Sequence, residues 1–74
     1  MNEELFEDTL RKYLRRKPFY PFLVELLDGT IITIEQPTIA MAGGAATYLT
    51  ERDLIEFACE QVREIRLAPI EMAS

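Results

Sequence analysis

Thr50-Glu51-Arg52-Asp53-Leu54-Ile55-Glu56-Phe57-Ala58-Cys59-Glu60-Gln61-Val62-Arg63-Glu64-Ile65-Arg66-Leu67 is the stretch whose reading decides the fold. Read as a helix, it opens on Thr50 to Asp53, which resembles a capping box. Leu54, Ala58, Val62 and Ile65 then recur at helical spacing, and Glu60 and Glu64 suit a helix. Read as β structure, Leu54 to Ala58 is one strand, Cys59 to Val62 a short turn, and residues 63–67 a second strand. There Ile65 and Leu67 alternate with Glu64 and Arg66. Local propensity alone favours the helix, but propensity yields to tertiary context. The first reading gives a helix, two hairpins and a C-terminal helix. The second gives a strongly bent antiparallel sheet or small barrel.

The chain upstream is common to both readings. Residues 3–16 predict a helix with Asn2 as N-cap. Glu3, Glu4, Glu7 and Asp8 stand near its start and basic residues near its end, an order that suits the helix dipole. Leu5, Phe6, Leu10, Tyr13 and Leu14 form one apolar stripe, and Pro18 stops the helix at Lys17. Strands are expected at 22–27 and 30–35, joined by Asp28-Gly29, a strong hairpin signal. A two-residue turn would set Leu26 opposite Ile31 and Leu23 opposite Ile34. One face then carries Phe22, Val24, Leu26 and Ile31, and the other Leu23, Leu27, Ile32 and Ile34. Both faces are apolar, so the hairpin is expected to be covered twice, the second time by a helix or another subunit. Leu23, Leu27, Ile32 and Ile34 are therefore the candidate association surface. Gln36-Pro37 breaks the strand, and short strands follow at 39–42 and 45–49 around Gly43-Gly44, which can supply positive φ. Strands 54–58 and 63–67 complete the β reading of a single domain over residues 1–70. Residues 71–74 are read as a tail.

Size and composition narrow the functional classes. A chain of 74 residues buries roughly 60% of its unfolded surface, a marginal core that favours tight packing or a partner subunit. Cys59 is the only cysteine and there is no histidine, so a disulfide and a Cys/His metal site are both excluded. No cofactor is expected. Ser74 is the only serine, and Cys59 has acidic neighbours in sequence and no histidine to activate it. Cys59 is read as a small buried apolar residue and the protein as a non-enzyme. No leader or membrane span is recognised, and the free thiol points to the cytoplasm.

The net charge of −5 conceals an asymmetry: residues 1–17 balance at +1 and residues 18–74 at −6. The positive part is the cluster Arg11, Lys12, Arg15, Arg16 and Lys17, the candidate binding patch. It could meet phosphates, with Tyr13, Phe19 and Tyr20 available to stack on bases. An acidic protein partner is a second reading. A third is that the cations serve the helix dipole and pair with the acidic remainder of the chain. An acidic protein overall is not a generic nucleic-acid binder.

Two resemblances bear on these readings. Lys17-Pro18-Phe19-Tyr20-Pro21-Phe22, Leu26-Leu27-Asp28-Gly29, Gln36-Pro37 and Val62-Arg63-Glu64-Ile65 together resemble small uncharacterised bacterial proteins of planctomycete type. Those proteins share a basic helix end, a Pro-Phe-x-Pro-Phe motif, an Asp-Gly hairpin and a C-terminal strand pair. They commonly carry His-Pro where this chain has Gln36-Pro37, and the resemblance implies no activity. Leu54 to Leu67 is also similar to the ending of Sm-like barrels, in which a strand, one 3₁₀ turn and a last strand close the barrel and form subunit contacts. This likeness favours the β reading. It implies a barrel more than RNA binding, since loop 40–46 is apolar here. The expectation is an α+β, mostly β domain with an N-terminal helix on a bent antiparallel sheet or small Sm/SH3-like barrel. It would act as a self-associating interaction or regulatory module, a homo-oligomer off the membrane. RNA binding through the basic helix end is the alternative.

Overall fold

The computed structural model describes residues 1–69. One helix, α1 (Glu3–Leu14), is followed by six strands: β1 (Phe22–Leu26), β2 (Ile31–Ile34), β3 (Ile39–Ala42), β4 (Ala45–Leu49), β5 (Leu54–Ala58) and β6 (Val62–Leu67). A one-turn 3₁₀ segment, Cys59–Gln61, joins β5 to β6. All pairing is antiparallel, in two three-stranded sheets ordered β2-β1-β6 and β3-β4-β5. The β reading of residues 50–67 is the one the chain adopts. No helix among the described residues is long and apolar enough to cross a membrane.

The Thr50 pattern is real chemistry put to another use. Thr50 Oγ1 accepts from the amides of Asp53 (2.8 Å) and Arg52 (3.3 Å), as a helix N-cap does. However, the Thr50 amide also donates to the Asp53 carbonyl at 2.9 Å, which closes a hairpin between Leu49 and Leu54 instead. The hydroxyl satisfies a tight turn, and the apolar set at period two, Ile55 and Phe57, faces inward while Leu54 and Glu56 face outward. At the next corner Gln61 Oε1 accepts from the Ala58 amide at 2.9 Å, and the Cys59 amide donates to the Gly44 carbonyl at 2.7 Å.

The first hairpin corrects the expected register. Leu26 N donates to Thr30 O and Gly29 N to Leu26 O, so the loop has three residues, Leu27-Asp28-Gly29. Gly29 sits at φ +91°, the left-handed position that ends such loops. The pairs are Phe22 with Ile34, Leu23 with Thr33, Val24 with Ile32 and Glu25 with Ile31. A one-residue slip moves side chains to the opposite face. Phe22, Val24, Ile32 and Ile34 therefore share one buried face, and the other face mixes Leu23 and Ile31 with Glu25 and Thr33. The hairpin is not apolar on both sides.

The core is Phe6, Leu10, Phe22, Val24, Ile32, Ile34, Ala46, Tyr48, Phe57, Val62 and Ile65. The helix packs across it. Asn2 caps it by accepting from the Leu5 amide at 2.7 Å. Phe6 meets Phe57 edge-on at 6.0 Å, and Tyr13 stacks on Phe22 at 5.1 Å. Leu5, expected in the buried stripe, is exposed, because it lies one residue and ~100° round the helix from Phe6. The helix stops at Leu14 rather than at residue 16: Arg15 caps it with a last bond to Arg11 O, and a cis Lys17–Pro18 peptide follows.

Candidate interaction surfaces

The basic cluster stays together on the helix end. At 100° per residue, Arg11, Lys12 and the cap residue Arg15 lie on the side of the helix opposite the buried Phe6 and Leu10, and Arg16 and Lys17 follow just beyond its end. Arg11 is tied to its own helix, with Asp8 at 3.0 Å and Glu7 at 4.0 Å. Lys12, Arg15, Arg16 and Lys17 are exposed. Among the described residues, these four cations make no ion pair with the acidic body of the chain. The guanidinium of Arg16 lies 5.7 Å from the ring centroid of Tyr20, which is 47% exposed. Phe19 is half-buried against Phe22 at 6.0 Å. Tyr13 is occupied by its stack on Phe22, so Tyr20 is the aromatic group left open beside the cations.

The four residues grouped as an association surface are separated by the hairpin register. Ile32 and Ile34 are in the core, Leu23 is half-buried on the opposite face, and Leu27 projects from the loop. The outer face of β1 is occupied by charge. Arg66 donates to Glu25 at 2.7 Å and to Glu64 at 3.1 Å, and Arg63 lies 4.0 Å from Glu25. Its hydrogen bond to Glu25, more than that to Glu64, raises the Arg66 guanidinium above its ordinary value. Cys59 is half-buried rather than enclosed, beside Gly44 and the start of α1.

Four strands end a sheet, β2, β3, β5 and β6, and the edges of β5 and β6 carry exposed leucines. The bonds Cys59 N to Gly44 O and Thr50 N to Asp53 O fix the phase of the β4–β5 ladder. By the alternation of antiparallel pairing, Ile55 and Phe57 bond to β4, whereas the backbone groups of Leu54 and Glu56 point away from it. The bond Ala68 N to Pro21 O sets the β1–β6 phase in the same way and turns Ile65 and Leu67 to the outer edge of β6. Both edges carry apolar side chains: Leu54 is 59% and Leu67 42% exposed. Leu49, the cross-strand partner of Leu54, is 46% exposed. Sequence reasoning missed these leucines as a surface. The alternation of Leu54, Glu56 and Ala58 against Ile55 and Phe57 was the available signal, but which edge stays open follows only from the strand order. No protein-family model, curated protein or solved structure matches this chain.

Proposed function

We propose that this protein is a small non-enzymatic interaction module that associates with copies of itself through its open strand edges. The observation that carries the reading is that β5 and β6 each end a sheet with backbone groups unpaired and a large leucine exposed, Leu54 on one and Leu67 on the other. Monomeric proteins blunt such edges with charge or proline, because open edges template further pairing. β5 carries Glu56 as its one charged side chain, whereas β6 carries Arg63, Glu64 and Arg66, so β5 is the less guarded of the two edges. A chain of 74 residues with a limited core gains most from such burial. The free thiol of Cys59 supports a reducing, cytoplasmic setting. Sedimentation velocity at micromolar concentration tests the reading. The native chain is expected to sediment as an oligomer, and Leu54→Lys, which places a cation on the edge, lowers its average mass. A native chain that is strictly monomeric contradicts it.

A second reading is supported by the outward cationic face and by Tyr20 beside Arg16. In that reading Arg11, Lys12, Arg15, Arg16 and Lys17 meet the phosphates of single-stranded RNA, or an acidic protein. At physiological salt the Debye length is about 8 Å, shorter than the 24 Å minimum dimension of the molecule. The local patch, more than the net charge of −5, then governs contact. Neutralising four phosphates would give a salt slope near −3 in log–log form. Titration of labelled single-stranded RNA at low and moderate salt tests it. No binding at low salt, or binding unchanged by Arg15→Glu with Arg16→Glu, ends that reading.

A further inference from the structure

Beyond the strand edges, the chain has a second pair of surfaces that suit each other. At the tip of the first hairpin, Leu26, Leu27, Asp28, Glu60 and Gln61 line a shallow concavity of about 200 Å³. Its frame is fixed: the Leu27 amide donates to the Gln61 carbonyl at 2.8 Å, which ties the hairpin loop to the 3₁₀ corner. Its floor is apolar, with Leu27 65% exposed and Leu26 half-buried. Its rim is anionic, from Asp28 and Glu60, both exposed and neither in an ion pair among the described residues. The matching surface is the Arg16–Tyr20 unit: an exposed aromatic ring with a guanidinium against it, flanked by Arg15 and Lys17.

One molecule cannot join these two surfaces. Tyr20 precedes β1 and Leu27 follows it, so the strand holds them about 20 Å apart at ~3.3 Å per residue. A second copy can. We propose that the acidic, leucine-floored concavity of one copy receives the Arg16–Tyr20 segment of another copy, in a head-to-tail contact. The ring of Tyr20 covers Leu26 and Leu27 while Arg15 and Arg16 face Asp28 and Glu60. The choice of a second copy rests on charge complementarity: the cations left unpaired on one end of the fold meet acids left unpaired at the other. Donor and acceptor are different patches, so the contact is heterologous and propagates to a ring or a filament. It rests on the self-association reading above and adds a contact distinct from the β5 and β6 edges.

The test is a complementation experiment by sedimentation velocity at low salt. Glu60→Arg removes the acceptor, and Arg15→Glu with Arg16→Glu removes the donor; all three positions are exposed, so the fold is retained and far-UV spectra check it. Each variant alone is expected to associate about tenfold more weakly than the native chain. An equimolar mixture is expected to associate more tightly than either variant alone, because it contains one intact donor and one intact acceptor. Tyr20→Ala in the native chain weakens association, whereas Tyr20→Phe does not. Association unchanged in both charge variants, or a mixture no stronger than its components, overturns this contact and leaves edge association standing. A strictly monomeric native chain overturns both.

Discussion

The backbone amide of Glu35 donates to the phenolic oxygen of Tyr48 across 3.0 Å, and this bond joins the two sheets where the chain leaves one for the other. Tyr48 is the fourth residue of β4, with its ring in the core and only 3% exposed. Glu35 is the first residue after β2, at the break made by Gln36-Pro37. A buried tyrosine seeks a partner for its hydroxyl, and the freed amide at the strand break supplies one. Thr38 secures the far side of the same break, its hydroxyl donating to Leu49 O at 2.6 Å and its carbonyl accepting from Leu49 N at 2.9 Å.

Tyr48→Phe keeps the ring and removes that acceptor. The Glu35 amide is partly reachable by water, so the loss is expected at about 1 kcal/mol, the lower end for an unsatisfied donor. Urea unfolding of the two proteins measures it. Equal midpoints would mean that the sheets are not held together at this point.

The Gly43-Gly44 turn makes a differential prediction. Both residues have positive φ, +59° and +80°, so alanine at either carries a backbone cost of about 1–2 kcal/mol. At Gly43 a Cβ meets nothing within 4 Å, but at Gly44 it would lie 3.1 Å from Glu3 Cγ and 3.2 Å from Cys59 Sγ. The Gly44 amide also donates to Glu7 Oε2 at 2.9 Å, which fastens the helix to the hairpin. Gly44→Ala should therefore destabilise more than Gly43→Ala in thermal unfolding. The reverse order would place the helix elsewhere.

Asp28 supplies the pH prediction. Its Oδ1 accepts from the Thr30 amide at 2.9 Å, and this bond holds the carboxyl below its ordinary value of 3.8. A carboxylate with a depressed value in the fold stabilises the protein above its unfolded value, and that contribution is lost as pH falls through the folded value. Stability therefore declines with acid below about pH 4, in part through this turn. Asp28→Asn retains an acceptor for Thr30 but does not titrate, so it should flatten the acid side of the curve. Parallel acid slopes for the two proteins would exclude Asp28 as a contributor.

Much of the architecture was legible because short-range chemistry carried it. Asn2, Asp28-Gly29 and Gly43-Gly44 each mark a boundary that the chain observes, strands run at 39–42 and 45–49 as expected, and 54–58 is the strand of the β reading. Two features were not legible, for different reasons. Thr50 to Asp53 makes the same side-chain bond whether it caps a helix or a turn, so no local rule separates the two. At Asp28-Gly29 a two-residue and a three-residue loop share one signature. The single residue between them decided whether Ile32 and Ile34 faced solvent or core. The candidate patch at Arg11 to Lys17 was legible as composition. Its outward orientation depended on which side of α1 met the sheets, and the open edges of β5 and β6 depended on strand order, which no short window contains.

Concentration-dependent amide exchange, read residue by residue, tests edge association most directly. Ile55 and Phe57 bond within the sheet and should be protected at every concentration. Leu54 and Glu56 on β5, and Ile65 and Leu67 on β6, should exchange rapidly in dilute protein and become protected as copies pair. If those four amides stay fast up to the highest attainable concentration while Ile55 and Phe57 remain slow, the edges are open in the working protein and the account is contradicted.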